Sequence, residues 1–187
     1  LDIILRDTSH QPWQTFGTVR IAQDGITCNE RPITGAQPGV WYSIEIRFQL
    51  DARDEKQPVV TVRTADGLEE TLSLPPVQPP IRAFTWLGLS AAGNEAGVIN
   101  VDNLVIRRVT DTQTEFPVNE GFEDYTAGQM FGEIVHGRDT AKGADAFVTD
   151  RMAATGRHSL EIHDAAGLTH GWQPMVRNKI HTTVADN

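Results

Sequence analysis

Aromatic side chains are the residues of this sequence whose chemistry points most directly to a ligand. The apolar face of a pyranose packs well on an indole, so an exposed tryptophan can serve as a platform for a sugar. Trp13 lies in the polar stretch SHQPWQTFG, and Trp41 begins a strand-like stretch with its side chain opposite the core-facing Tyr42. We therefore predict Trp13 and Trp41 as ligand-binding residues. Trp86 and Trp172 are expected in the core or at its edge.

A second chemically active group lies near the N-terminus. Arg6, Asp7 and His10 bring a guanidinium, a carboxylate and an imidazole into a short stretch of chain. A base beside a charge-neutralising arginine would suit a polysaccharide lyase. The same groups can also donate and accept hydrogen bonds to the hydroxyls of a bound sugar. We place these three residues in ligand binding and assign no catalytic residue.

Metal and thiol chemistry find little support in the residue spacing. Cys28 is the only cysteine, so neither an internal disulfide nor a thiolate metal cluster can form. Four histidines fall in the last third of the chain, and their spacing matches no zinc signature. We expect these histidines in loops or on the surface. The histidines concerned are His158, His163, His170 and His181.

The charge balance excludes two classes of partner. The chain has 187 residues with a net charge of −9, and its 16 lysines and arginines are scattered. Nucleic acids and anionic membranes need clustered positive charge, so we expect neither as a partner. No apolar run approaches the roughly 20 residues of a membrane span, and we expect no membrane insertion. The chain begins at Leu1 without an initiator Met, so we expect a processed product or an excerpt of something longer.

Alternating apolar and polar residues predict strands throughout. The clearest stretch is 41–50, in which Tyr42, Ile44 and Ile46 face a core. The pair Asp102-Asn103 interrupts the alternation of 98–107 and indicates a bulge or a special site. No amphipathic helix of ten residues is visible, which predicts an all-β, antiparallel sandwich or jelly roll. The remaining predicted strands are 3–5, 18–22, 26–28, 59–63, 69–74, 84–90, 146–149 and 159–162.

Three stretches resemble a known family. They are GVWYSIEIRFQLD, GVINVDNLVI, and GFEDYTAGQ together with VTDRMAATGRHSLEIHDAAGLTHGWQP. The first is similar to the long central strand, the second to the closing strand and the third to the opening strands of concanavalin A-like (laminin-G-like) jelly-roll modules of large exported bacterial proteins. The resemblance implies an antiparallel jelly-roll sandwich. It also implies an extracellular, cell-surface or periplasmic location.

The order of these stretches departs from the family pattern. Residues 1–109 resemble the central and closing strands, 110–118 read as a linker, and 119–187 resemble the opening strands. The chain is then either a permuted single module or a piece cut across two tandem repeats. We predict that 119–187 packs with 1–109 into one sandwich, within this chain or by exchange with a neighbouring chain. The second route would give self-association.

The resemblance also implies a structural calcium ion. In similar sugar-binding jelly rolls the ion sits where the opening strand meets the closing one, bound by carboxylate and carbonyl oxygens. Glu123 and Asp102 occupy the matching positions, and the backbone near Gly156 and Arg157 could add a carbonyl. The alternative is that both carboxylates are exposed charges at strand ends.

Three functions remain in view. The first is a non-catalytic carbohydrate-binding or cell-surface adhesion module of a larger exported protein, whose partner is a polysaccharide or cell-surface glycan. The second is a structural spacer that assembles by strand exchange. The third is a polysaccharide lyase or hydrolase, which is disfavoured because the Glu-x-Asp-x-x-Glu strand of enzymes with this fold is absent.

Overall fold

The protein is built from β-strands. The computed structural model describes residues 1–50, 57–91, 93, 96–109, 114–129 and 134–183, and within them no helix occurs. The strand pairs whose register is defined are antiparallel. The all-β prediction is confirmed, and the architecture is compatible with a β-sandwich. The strands are β1 (Asp2–Asp7), β2 (Gln14–Ala22), β3 (Gly25–Cys28), β4 (Arg31–Thr34), β5 (Tyr42–Arg47), β6 (Val59–Thr64), β7 (Glu69–Ser73), β8 (Ala83–Ser90), β9 (Gly97–Val101), β10 (Leu104–Val109), β11 (Thr114–Glu120), β12 (Ile134–His136), β13 (Asp145–Thr149), β14 (Ser159–Asp164) and β15 (Met175–Thr183).

The chain divides into two compact units. Unit 1 comprises Leu1–Leu89 and Lys179–Asn187, and unit 2 comprises Ser90–Asn178. These boundaries differ from the segments predicted from the sequence, since β9 and β10 group with the residues that follow the predicted linker. Of that linker, residues 110–113 lie outside the described residues, and 114–118 belong to β11, which pairs with β10. The packing of 1–109 and 119–187 into one sandwich stays a prediction.

Unit 1 contains two antiparallel sheets that share one core. The first includes the run of neighbouring strands β8-β1-β2-β3-β4, and the second has the order β5-β6-β7. Tyr42, Ile44 and Ile46 of β5 pack against this core, as the period-two pattern predicts. β5 ends at Arg47, so the strand is shorter than the predicted 41–50. The buried residues of the core are Val19, Ile26, Cys28, Val60, Val62 and Leu74.

Unit 2 contains the three-stranded sheet β13-β14-β9 and the strand pairs β10-β11 and β12-β15. One face of the three-stranded sheet is apolar, because Ala146 pairs with Ile162 and Val148 with Leu160, and all four are buried. The opposite face is polar. The predicted irregularity within 98–107 separates β9 from β10, and Asn103 there has a φ of 52°.

Among the described residues, no helix is long and apolar enough to cross a membrane.

A close contact between an aromatic ring and a glycine fixes the middle of β8. Trp86 is buried, and its ring lies over Gly88, where an added Cβ would stand 2.2 Å from Cη2 of the indole. From β1, the Arg6 guanidinium carbon lies 4.6 Å from the centroid of the same ring. Gly88 is thus required for the close approach, because any side chain would displace a packed indole.

We expect Gly88→Ala to destabilise unit 1. The added methyl group must displace the Trp86 ring, and overpacking of this kind typically costs about 1–3 kcal/mol. Thermal unfolding measures the effect. Gly35→Ala is the matched control, because nothing lies within 4 Å of its added Cβ. Equal melting temperatures for the two variants would contradict the expectation.

Candidate functional site

The loop between β1 and β2, residues 8–13, carries two of the five ligand-binding residues predicted from the sequence, His10 and Trp13. Its shape depends on Asp7, the last residue of β1, whose side chain is fully buried. Oδ1 of Asp7 accepts hydrogen bonds from the backbone N–H of Ser9 at 2.9 Å and from the Ser9 hydroxyl at 2.5 Å. Oδ2 accepts one from the N–H of Ala83 at 3.1 Å. The carboxylate therefore ties the loop to the start of β8.

Further polar contacts hold the two ends of this loop. Thr85 Oγ1 accepts a hydrogen bond from the N–H of Thr8 at 2.7 Å, and the two threonine hydroxyls lie 2.9 Å apart. At the other end, Gln14 Nε2 donates to the carbonyl of Pro79 at 2.7 Å. Each of these bonds joins residues more than 60 positions apart in sequence. The loop is consequently fixed against distant parts of unit 1.

Electrostatics keep Asp7 ionised. Burial alone would raise the pKa of this carboxyl, but the hydrogen bonds from Ser9 and Ala83 outweigh burial and hold the pKa below its ordinary value. His10 Nδ1 lies 3.9 Å from Oδ2 and adds a smaller lowering. The Asp7 carboxylate has no exposed surface, and both of its oxygens accept hydrogen bonds. Its role is therefore to hold the loop in place through these hydrogen bonds.

Two predicted ligand-binding residues are open to solvent in this loop. Trp13 is 57% exposed, and His10 is also exposed. Arg6 is half-buried, because it packs over Trp86 and donates from Nε to the hydroxyl of Thr15 at 3.0 Å. Trp41 is half-buried just before β5, and in the described part of the chain no hydrogen bond or ring contact joins it to the loop. The structure thus brings together Asp7, His10 and Trp13.

The predicted calcium ligands both contact the β13–β14 loop, residues 150–158. Asp102 Oδ2 accepts hydrogen bonds from the backbone N–H groups of Ala154 at 2.8 Å and Thr155 at 3.0 Å. Glu123 accepts from the N–H groups of Arg157 at 2.9 Å and His158 at 3.0 Å. The two carboxylates therefore hold this loop from the chain segments that follow β9 and β11.

Close packing and charge reinforce the Glu123 contact. Gly156 has a φ of +69°, and an added Cβ would stand 2.3 Å from Oε1 of Glu123. The N–H donors of His158, and then those of Arg157, hold the pKa of Glu123 below its ordinary value. Only a glycine allows the carboxylate to approach the backbone so closely.

The donor set does not call for a metal ion to hold this loop. Both oxygens of Asp102 and of Glu123 already face N–H groups, which cannot ligate a cation. Among the described residues, no group of three or more His, Cys, Asp or Glu side chains is placed to hold a metal. The hydrogen bonds between these carboxylates and the backbone hold the loop directly, which is the role that a bound ion would otherwise have. Calcium at Asp102 and Glu123 stays a prediction.

A polar sheet face in unit 2 was missed by the sequence reasoning. It carries Glu161, which is buried yet contacts both Arg151 and His163, and Phe147, whose ring centroid lies 5.2 Å from that of His163. The signal was present as the period-two pattern Ser-x-Glu-x-His of 159–163. The spacing of the histidines alone does not indicate the role of the acidic residue between Ser159 and His163.

A second exposed tryptophan also lies in unit 2. Trp172 is 41% exposed, whereas the sequence led us to expect it in the core or at its edge. Its ring is stacked on that of His170, with centroids 5.2 Å apart and an interplanar angle of 6°. The carbonyl of Trp172 accepts a hydrogen bond from the Ser90 hydroxyl at 2.8 Å. The backbone of this residue is therefore anchored while its indole is open to solvent.

The single thiol offers no reactive group. Cys28 is buried in the core of unit 1, and burial raises the pKa of its thiol to about 11. The protonated thiol is a poor nucleophile and a poor metal ligand at neutral pH.

Comparisons with known proteins give no match for this chain. The chain matches no family model, no curated protein and no solved structure. What the fold defines is an all-β protein with antiparallel sheets, compatible with a β-sandwich.

We expect Asp7→Asn to destabilise unit 1 by about 2–4 kcal/mol at pH 7, because an amide cannot accept all the donors that a buried carboxylate accepts. The folded pKa of Asp7 is lowered, so its stabilisation is complete above the unfolded pKa of about 3.9 and is lost as the pH falls through the folded pKa. The difference between wild type and variant should therefore narrow in acid.

Urea unfolding between pH 2 and pH 7 measures this pH dependence. Asp24→Asn is the matched control, because Asp24 is an exposed aspartate in the β2–β3 turn. A variant that stays equally destabilised across the whole pH range would show that the charge of Asp7 does not hold the loop.

We expect Glu123→Ala to loosen the β13–β14 loop and to speed tryptic cleavage after Arg157 severalfold, because the N–H groups of Arg157 and His158 lose their acceptor. Asp124→Ala is the control, since it removes an exposed neighbouring carboxylate. Unchanged cleavage in Glu123→Ala would contradict the role assigned to Glu123.

The wild type and the Glu123→Ala variant also test the predicted calcium site. If the ion binds at the predicted residues, calcium raises the melting temperature of the wild type and leaves that of Glu123→Ala unchanged. A wild-type melting temperature that responds to neither calcium nor a chelator would reject the calcium prediction.

Proposed function

We propose that this chain is a non-catalytic carbohydrate-binding module of a larger exported protein. The observation that carries the proposal is the exposure of Trp13 on a loop that is fixed by hydrogen bonds at both ends. Exposure of a large aromatic surface to water is unfavourable, and covering that surface with a ligand contributes favourable binding free energy. The proposed partner is a polysaccharide or a cell-surface glycan.

The loop chemistry suits a sugar. The indole of Trp13 supplies a flat apolar surface for one face of a pyranose, and the imidazole of His10 supplies a polar group on the same loop. Because the loop is tied to β8 and to Pro79, little conformational entropy remains to be lost on binding. Preorganisation of this kind favours affinity from a small contact area.

Binding is favoured over catalysis by the state of the acidic group. A lyase or hydrolase needs a base or an acid that reaches the substrate. Asp7, the carboxylate of the N-terminal group, is fully buried, and its two oxygens accept hydrogen bonds from Ser9 and Ala83. It is placed to support the loop, and it cannot itself reach a substrate as an acid or a base.

The fold that we propose is a concanavalin A-like jelly roll. Support comes from the antiparallel pairing, from the two sheets of unit 1 that share a core, and from the three family-like stretches of the sequence. A module of this kind implies export to the periplasm, the cell surface or the medium. Self-association by strand exchange is a separate proposal, and the mass of the protein in solution without glycan tests it.

We expect Trp13→Ala to lower the affinity for a bound polysaccharide by at least about thirtyfold, since loss of a central aromatic contact costs roughly 2 kcal/mol or more. A glycan array identifies the ligand, and isothermal titration calorimetry measures the affinity. Trp13→Phe should retain part of the binding because it keeps an aromatic face.

Trp172→Ala is the matched control, because it removes the other strongly exposed tryptophan among the described residues. Unchanged melting temperatures show that the variants fold. Absence of binding to any polysaccharide, or equal affinity of wild type and Trp13→Ala, would contradict the proposal.

A further inference from the structure

A buried carboxylate anchors the polar face of the β13-β14-β9 sheet. Glu161 lies in the middle of β14, directly opposite Phe147 of β13 and Asn100 of β9, and is only 3% exposed. A charge in such a position must be paired, because desolvation is costly. Arg151 and His163 supply the pairing, and both contact the same oxygen, Oε1.

The two partners of Glu161 are fixed and yet reach solvent. Arg151 bonds Glu161 through Nη2, its Nε lies 3.4 Å from the hydroxyl oxygen of Thr149, and its side chain is 64% exposed. His163 contacts Glu161 through Nε2. Among the described residues, neither Nη1 of Arg151 nor Nδ1 of His163 has a hydrogen-bond partner. Two oriented polar groups are therefore presented at this surface.

The hydrogen-bonding character of these groups differs. A neutral imidazole that donates from Nε2 to a carboxylate carries its acceptor at Nδ1, whereas the guanidinium of Arg151 can only donate. An acceptor beside a donor matches a hydroxyl, which does both. A carboxylate or sulfate group of a ligand could accept from Arg151, but it would have no proton for His163.

Apolar and amide groups complete the surface. The Phe147 ring lies 5.2 Å from that of His163, and Val98 on the edge strand β9 is exposed. Asn100 lies on the same face and donates from Nδ2 to Ser159 at 3.2 Å. An aromatic ring among oriented polar groups is the composition of a site that packs on a sugar face and bonds its hydroxyls.

We propose that this face of unit 2 is a second carbohydrate site, for a neutral pyranose. Arg151 donates to one sugar hydroxyl, His163 accepts from another, Phe147 packs on the ring, and Glu161 positions the first two without touching the ligand. The net charge of −9 also favours a neutral glycan over an acidic one. The inference rests on the proposed function, because it assumes that the chain binds glycans.

The test counts sites with a short oligosaccharide of the neutral polysaccharide that the wild type binds. Calorimetry should give two ligands per chain for the wild type, and one each for Trp13→Ala and Arg151→Ala. Affinity at the second site should fall at least about tenfold in Arg151→Ala, because a charged donor is lost. Arg157→Ala is the matched control, since it removes an exposed arginine from the same loop.

A second variant keeps the test independent of folding. His163→Phe retains a ring beside Phe147 and removes both nitrogens, so it should lose the same site even if Arg151→Ala unfolds. One ligand per chain in the wild type, lost in Trp13→Ala and kept in Arg151→Ala and His163→Phe, would overturn this inference and leave the proposed function standing. Binding lost in Arg151→Ala and kept in Trp13→Ala would support this inference and would overturn the role of Trp13 as a glycan platform. Preference for polygalacturonate or alginate over neutral glycans would overturn the ligand class.

Discussion

The N–H groups of a loop need acceptors when the loop is packed against a sheet, and in this chain carboxylates supply them. Asp7 does so for the β1–β2 loop, and Asp102 and Glu123 do so for the β13–β14 loop. With a single cysteine, the chain cannot tie these loops by an internal disulfide. Everything proposed about ligands depends on this constraint, because the exposed side chains are useful only on loops that keep their shape.

Glu161 extends the same solution from backbone to side chains. Its carboxylate is out of water and is paired with a guanidinium and an imidazole instead of with N–H groups. Because the buried charge of Glu161 must be compensated, its carboxylate also fixes the orientation of Arg151 and His163. In each unit, one buried acidic residue, Asp7 or Glu161, supports groups that face the solvent.

Period-two alternation made the strands predictable, because side chains on a strand must alternate between core and solvent. The stretch around β5 was assigned correctly down to the facing of Tyr42, Ile44 and Ile46. Residues 114–118 were assigned to a linker because the stretch is polar and rich in threonine, and yet they lie in β11. Asp102-Asn103 stood out because two polar residues interrupt an apolar pattern, and the chain does leave one strand there and begin another.

The contacts of the candidate sites could not be predicted in the same way. Asp7 was chosen from its sequence neighbours, but its role depends on Ala83, which is 76 positions away and reaches it only through the pairing of strands. Glu161 was overlooked because it belongs to the polar half of the alternating pattern Ser-x-Glu-x-His, where an acid looks like an outward-facing charge. The roles of Asp7 and Glu161 depend on burial and on long-range partners. Both are defined only once the chain has folded, so a single sequence does not reveal them directly.

The β13–β14 loop is held through its main chain at positions 154, 155, 157 and 158. Every amino acid except proline carries the N–H group that this needs, so these four contacts do not depend on which side chain is present, although the Thr155 hydroxyl also bonds Asn103. Gly156 is the exception, since its backbone angle and its closeness to Glu123 exclude other residues. A loop fastened in this way can change most of its surface side chains while its main chain keeps its path.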